Sequence, residues 1–377
     1  MKRELFAPEH ELFRDSVKAF LAREVAPHLT EWEERGGFTR SVFNAAGEAG
    51  LLCPAVPEAY GGPGADRLYS AIVLEEAAPY SNFGLSFAMH SDIVTNYFLN
   101  YASEELRQRY LPRMVRGEVV GALAMTEPNG GSDVKAIRTT AVRDGDHYVL
   151  SGIKTFISNA TVCDMVIVVA KTDPAAGAKG LSLLAVDADL PGVTKGTPLK
   201  KLGLKSQDTG ELFFDQVRVP AENLIGEENR GFFYLMNELP WERLQIAVSA
   251  IAAAQAAYDW TLAYVRERTA FGQAVVEFQN TRFTLAELKT EIRIGRVFVD
   301  HCLELMLRGE IDAQTASMAK YWTTDLQGKV VDACLQLHGG YGFMWEYPIG
   351  RAYVDARAQR IYGGTNEIMK ELIARDL

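Results

Sequence analysis

Two carboxylates, Glu238 and Glu242, stand one helical turn apart in the stretch ELPWERLQIAVSA, on either side of Pro240. Trp241, Leu244 and Ile246 surround Glu242 in the chain. Among such neighbours a carboxylate is either turned out to solvent or kept for a purpose, because burying an unpaired charge is costly. Buried there, it would titrate above its usual range and be the stronger base, suited to taking a weakly acidic proton. Glu242 is therefore either functional or a plain exposed helix glutamate, and Glu238, one turn earlier, is the fallback candidate.

A second stretch with chemical content is AMTEPNGGSD, residues 124–133. Pro128, Gly130 and Gly131 impose a bent backbone whose amides can point at a ligand, and Thr126 and Ser132 add hydroxyls beside it. A surface turn would read the same way. No GxGxxG follows a strand-like run and no GxxxxGK[ST] occurs, so a dinucleotide here is held by neither a Rossmann unit nor a P-loop. YGGPGAD and HGGYGF are rich in glycine but miss both spacings. Cys53, Cys163, Cys302 and Cys334 form no CxxC pair and read as buried reduced thiols, with no metal site expected.

These residues need elements to carry them. Apolar residues recur at helical spacing in HELFRDSVKAFLAREV and RLYSAIVLEEAAPY, with the turn-rich PEAYGGPGAD between them. From Val119 the texture changes to short β-rich runs, MVIVVAKT, LSLLAVDA and ELFFDQVRVP, and Asp144-Gly145 marks a tight hairpin turn. After Gly231 four long periodic segments follow, at about 231–268, 278–308, 312–337 and 365–376. Asp312 and Thr365 stand where N-caps belong, and Gly309 and Gly339 where helices stop. The fold class is α+β: an N-terminal helical domain over 1–118, a small β domain over 119–226, and an antiparallel helical bundle over 227–377. The 377 residues are 48% apolar, ample for a sizeable core, and carry a net charge of −10. That charge argues against a sequence-independent grip on nucleic acid or anionic lipid. The opening segment has no uncharged apolar stretch and too many acids for a transit peptide. It reads as folded structure, with a cytoplasmic location and no membrane insertion expected.

AMTEPNGGSD is followed in order by GIKTFISNA, RTAFGQAVVEFQ, QLHGGYGF and IYGGTNE. This set resembles the acyl-CoA dehydrogenase family through essentially the whole chain, most nearly its long-chain members, which share HSDIV, MTEP, ELFF, GEEN, MWEYP and IYGGTNEIMKELIAR. The resemblance implies FAD, an acyl-CoA substrate, electron-transfer flavoprotein as the electron acceptor, and a homotetramer. It places Met125 and Thr126 along the flavin ring, with Phe156 as a stacking face and Ser158 near N5. Ser132 would contact the bound nucleotides, and Arg268 would meet the pyrophosphate with Phe271 and Gln279 close by. Gln336, Gly339 and Gly340 of QLHGG would close over the adenine end from a neighbouring subunit. Thr365, Asn366 and Glu367 would offer helix-start amides to phosphate-linked groups. Phe233, Arg243, Gly363 and Gly364 would line the substrate, and Leu85 and Met89 would floor the acyl tunnel with an apolar face.

One departure stands out. Where family members commonly show a glutamate between the tyrosine and the glycine, this chain reads IYGGT, with Gly363. In long-chain and isovaleryl members the base is the glutamate of an ER pair, retained here as Glu242-Arg243. The base has then moved, and Gly363 leaves space beside the substrate α-carbon, which suits medium-to-long or branched acyl chains. His338 reads as structural, and Glu227-Glu228 as a solvated turn. A flavin oxidase or monooxygenase on the same fold, and an assembly factor that has lost its base, are the rival readings.

Overall fold

The computed structural model describes residues 3–81, 84–375 and 377, with the side chain of Leu85 outside the described set. Its amino-terminal part is helical: α1 Pro8–Phe20, α2 Leu29–Arg35, α3 Ser41–Glu48, α4 Arg67–Ala77, α5 Gly84–Ala88, α6 Thr95–Tyr101 and α7 Glu104–Val115. Asp66 and Ser103 cap α4 and α7 through the amides of Leu68 and Leu106, satisfying donors the helices leave open. Val17, Phe20, Phe43, Phe87, Tyr97, Phe98 and Tyr110 are buried together, each apolar side chain contributing about 1.5–3 kcal/mol. Between α5 and α6 the chain takes a π turn, Met89–Val94. A buried ion cluster fastens the start of the chain: Arg3 donates to Glu75 and to Asp300, and Arg14 and Arg296 also donate to Glu75.

The middle part is a sheet of β1 Gly121–Ala124, β2 Thr140–Asp144, β3 His147–Ser158, β4 Met165–Lys171, β5 Leu181–Asp187, β6 Val193–Lys195, β7 Thr209–Pro220 and β8 Leu224–Ile225. The order is β6-β7-β3-β2-β4-β5-β8, with β1 parallel to β4. The Asp144-Gly145 hairpin forms as expected, Gly145 taking φ 63°. Tyr148, Leu150, Val166, Val168, Leu184 and Val217 fill the core on one face.

The rest is helical: α8 Gly231–Glu267, α9 Gln279–Leu307, α10 Ala313–His338, α11 Pro348–Gln359 and α12 Asn366–Ala374, with a small hairpin of β9 Thr269–Ala270 and β10 Gln273–Ala274. Asp312 and Thr365 do cap α10 and α12, and Gly309 and Gly339 turn left-handed where helices end. The sequence reading missed α11. Its inward positions include Asp355 and Gln359, so no continuous apolar stripe announces it. α10 lies against α8, α11 and α12, burying Leu244, Val248, Ile251, Val330 and Val331. The four cysteines are buried and unpaired. Among the described residues no helix is long and apolar enough to cross a membrane, and none form a cluster able to hold a metal ion.

Candidate functional site

Glu242 sits in the first half of α8, 8% exposed. The Tyr97 hydroxyl donates to its Oε1 at 3.1 Å. Burial pushes the carboxyl up to about 7; Glu238 adds to the rise, while Tyr97 and Arg243 oppose it. Glu238, one turn earlier, is engaged differently, since Asn100 Nδ2 and Tyr101 Oη both donate to its Oε1, at 2.9 and 2.7 Å. That double hold makes Glu238 the anchored carboxylate and leaves Glu242 the freer one, with Oε2 taking no protein donor among the described residues.

The turn before α12 meets this helix. Gly363 and Gly364 have φ of 66° and 89°, a region open to glycine at little cost. A Cβ at Gly363 would lie 2.4 Å from Ile246 Cδ1. Ile246 is one turn beyond Glu242, so the carboxylate lies on the stripe of α8 that faces the turn. This corrects the expectation of open space beside Gly363, because Ile246 fills it. The fully buried Lys320 ties the turn down, donating to Gly364 O and Asn366 Oδ1 at 2.8 Å each. Arg243 is buried, donates to Ser317 at 3.4 Å and leaves Nε without a partner. Thr365 spends its hydroxyl on Ile368 N, and the Asn366 amide donates to Arg360 O. The Asn366 side chain is turned inward onto Tyr321, Thr324 and Asp325. Glu367 is held below its usual range by its own amide and Thr365. At this helix start the Asn366 amide is engaged, whereas the amides of Thr365 and Glu367 take no backbone acceptor among the described residues. The amides of Gly363 and Gly364 just before it take no acceptor among the described residues.

In the middle domain Met125 and Thr126 follow β1. Lys154, 0% exposed, donates to Met125 O and Glu127 Oε1, and Thr155 N donates to Thr126 O. Glu127 also accepts from the amides of Arg138 and Thr139. These bonds set the loop rigidly beside β3. There the pairing of β3 with β7 slips between Lys154 and Ile157, and Phe156 takes φ 58° with 67% of its surface exposed. A bulky residue in that conformation is costly, and it follows Thr155, whose amide donates to Thr126 O. Ser132 is exposed on the following turn.

A third group lies elsewhere. Arg268 ends α8, about 39 Å from Glu242 at 1.5 Å per residue. Phe271 tips the β9–β10 hairpin, 97% exposed at φ 53°. Arg268 lies 5.8 Å over the Tyr341 ring, which brings the hairpin beside exposed Gly339 and Gly340, where a Cβ would meet nothing. Gln279 and Gln336 are exposed nearby, at the start of α9 and near the end of α10. His338 is structural: buried, bonded to Cys334 O and stacked on Tyr264. Phe233 is half-exposed under Arg230 and beside Tyr234, which stacks on Tyr101. Met89 is half-buried at the start of the π turn; the Leu85 side chain expected on the same face lies outside the described residues. Tyr97, Asn100, Tyr101 and Lys320 escaped the sequence reading. The i, i+3, i+4 polar spacing at 97, 100 and 101 was the available signal.

FAD fits the residues present. Phe156 and Phe271 offer stacking rings, Arg268 has no ion-pair partner among the described residues, and the Tyr362 hydroxyl next to Gly363 is buried without a partner. A buried carboxylate on a long helix, beside a glycine turn with free amides and within a helix, sheet and helix architecture, suits a flavoprotein oxidoreductase. The matches are specific. The acyl-CoA dehydrogenase N-terminal, middle and C-terminal domain models match residues 7–118, 122–217 and 229–377. The chain is 51% identical to the pig (Sus scrofa) protein described as long-chain specific acyl-CoA dehydrogenase, mitochondrial, over 100% of this chain and 88% of that one. It superposes on the acyl-CoA dehydrogenase of Geobacillus kaustophilus with a TM-score of 0.97 at 47% identity, covering 100% of this chain and 99% of that one. A chain in a structure described as the electron transferring flavoprotein of Acidaminococcus fermentans matches with a TM-score of 0.95 at 32% identity, covering 100% and 99%. The chain belongs to the acyl-CoA dehydrogenase family, and its activity is the FAD-dependent dehydrogenation of acyl-CoA thioesters.

Proposed function

We propose that Glu242 is the base of this reaction, removing the α-proton of an acyl-CoA as a trans-2-enoyl-CoA forms. The observation that carries this is the buried carboxylate on the stripe of α8 facing Gly363, raised to about 7 and holding one oxygen free of protein donors. A base near neutrality is matched to a weakly acidic carbon acid. The free amides of Gly363 and Gly364 suit the thioester oxygen as negative charge develops on it. When bound, FAD supplies the acceptor for the β-hydride. Met125, Thr126, Phe156 and Ser158 would bear its ring system, with Ser132 beside them.

Arg268, Phe271, Gln279, Gln336, Gly339 and Gly340 lie too far from Glu242 to serve the same cofactor within one chain, so they would reach the FAD of a neighbouring subunit. That separation, with exposed Phe283, Ile294 and Val297 on α9, supports a homotetramer. Electron-transfer flavoprotein is the acceptor in this reading, supported by the similarity to the Acidaminococcus chain. Apolar Met89 and the long-chain relative support medium-to-long acyl substrates. The test is Glu242→Gln: an amide cannot accept the proton, so bleaching of the flavin by acyl-CoA falls at least about a hundredfold while FAD stays bound. Bleaching at the parental rate would refute it and point to Glu238.

A further inference from the structure

On the reading that Glu242 is the base, we propose that Tyr97 is a positioning residue for the reaction: its hydroxyl holds Oε1 of Glu242 and leaves the other oxygen to take the substrate's proton. Tyr97 is fully buried and reaches Glu242 across 145 positions of chain. It is one rung of a ladder. Tyr97, Asn100 and Tyr101 project from one face of α6, and Glu242 and Glu238 face them from α8, so each carboxylate is held through a single oxygen. The rungs are rigid. Tyr101 stacks on Tyr234 at 4.2 Å between ring centres, and Tyr97 and Tyr101 lie 6.2 Å apart. The π turn directly before α6 sets its rotation; one residue fewer would turn the ladder about 100° away from α8.

The surroundings make the hydroxyl matter. Glu238 and Arg243 stand beside Glu242 on its own helix, and Tyr97 and Tyr101 face it from α6. Arg67 of α4 lies over Trp241 and beside Asp92 of the π turn, and Lys320 of α10 lies beyond Arg243. Burial and Glu238 push the carboxyl toward its neutral form, while Tyr97 and Arg243 favour the ionised one. Tyr97 remains a donor throughout, because burial and the Glu242 charge raise its own pKa well above the usual value.

The experiment measures, on the FAD-loaded protein, flavin bleaching by a saturating acyl-CoA against pH. In parallel the protonated-carboxyl infrared band is titrated, assigned by its absence in Glu242→Gln. Tyr97→Phe removes a hydrogen bond to the charged form, so both midpoints rise by about one pH unit and bleaching on the acid side falls about tenfold. 3-Fluorotyrosine at 97 keeps the shape and strengthens the donor, moving both midpoints down; it decides the matter if Tyr97→Phe does not fold. A role confined to packing would lower the rate equally at every pH, and unmoved midpoints overturn the proposal. Bleaching by Glu242→Gln would overturn the base itself and this proposal with it, whereas an inactive Glu242→Gln with unmoved Tyr97 midpoints overturns the positioning role alone.

Discussion

Gly363→Ala tests the geometry between the glycine turn and α8. The turn residue has φ 66°, and a side chain there costs about 1–2 kcal/mol in the left-handed region. The added Cβ would also lie 2.4 Å from Ile246 Cδ1, driving that side chain off its rotamer for a further ~1 kcal/mol. The expected loss is about 2–3 kcal/mol, or on the order of 5–10 °C in the unfolding midpoint of a domain of roughly 150–250 residues. Ile246→Val alone costs about 1 kcal/mol. It deletes the clashing atom, however, and the next one, Cγ1, is 4.0 Å away. In the Gly363→Ala background the same trimming should therefore cost nothing or stabilise, a coupling of about 1 kcal/mol. Thermal unfolding of the four proteins at one excess FAD concentration measures it. Simple additivity would refute the contact. The same logic governs a transplanted base: Glu242→Thr with Gly363→Glu should regain part of the bleaching rate, and more of it with Ile246→Val added.

Arg268→Ala should weaken FAD retention about tenfold or more, read from free flavin after gel filtration, because a charged contact to phosphate is lost; undiminished retention would exclude Arg268 from the cofactor. Dodecanoyl-CoA should show a higher kcat/KM than butyryl-CoA, and the reverse order would end the long-chain reading. Glu75→Gln should cost about 3–5 kcal/mol by stranding the arginines around it, and chemical unfolding that leaves stability near parental would refute the cluster's importance. Burial opposes ionisation of Glu75, yet Arg296, Arg3 and Arg14 lower it from 4.5 to about 2. Its folded pKa lies below the unfolded one, so the contribution is present above pH 4.5 and is lost as the pH falls toward 2; the variant should lack that acid limb.

What could be read from the chain was what is local. The apolar stripe of α1, the Asp144-Gly145 turn and the caps Asp312 and Thr365 each depend on a few adjacent residues, and each is legible. Glu242 stood out because its neighbours are apolar. Its partner Tyr97 did not, since only the packing of α6 on α8 brings two distant positions together. The room assigned to Gly363 was an inference from one residue's size, and Ile246, on another helix, occupies it. Asn366 looked like a ligand by its place at a helix start, yet α10 presents donors and acceptors that turn it inward. The π turn over Met89–Val94 is not advertised by HSDIV.

The buried thiols lend the molecule an intrinsic reporter of opening. Burial raises Cys53, Cys163 and Cys302 to about 12 and Cys334 to about 11, and a neutral, enclosed thiol is inert to alkylating reagents. In the folded protein a reagent such as iodoacetamide thus finds nothing to modify, and every native adduct records an excursion in which a helix or the sheet came apart. Cys53 and Cys163 report on the amino-terminal and sheet cores, and Cys302 and Cys334 on the bundle. Adduct mass by position therefore tells which part opened first, and a cysteine placed at Leu12, 71% exposed, would carry a dye alone while the rest of the chain keeps time.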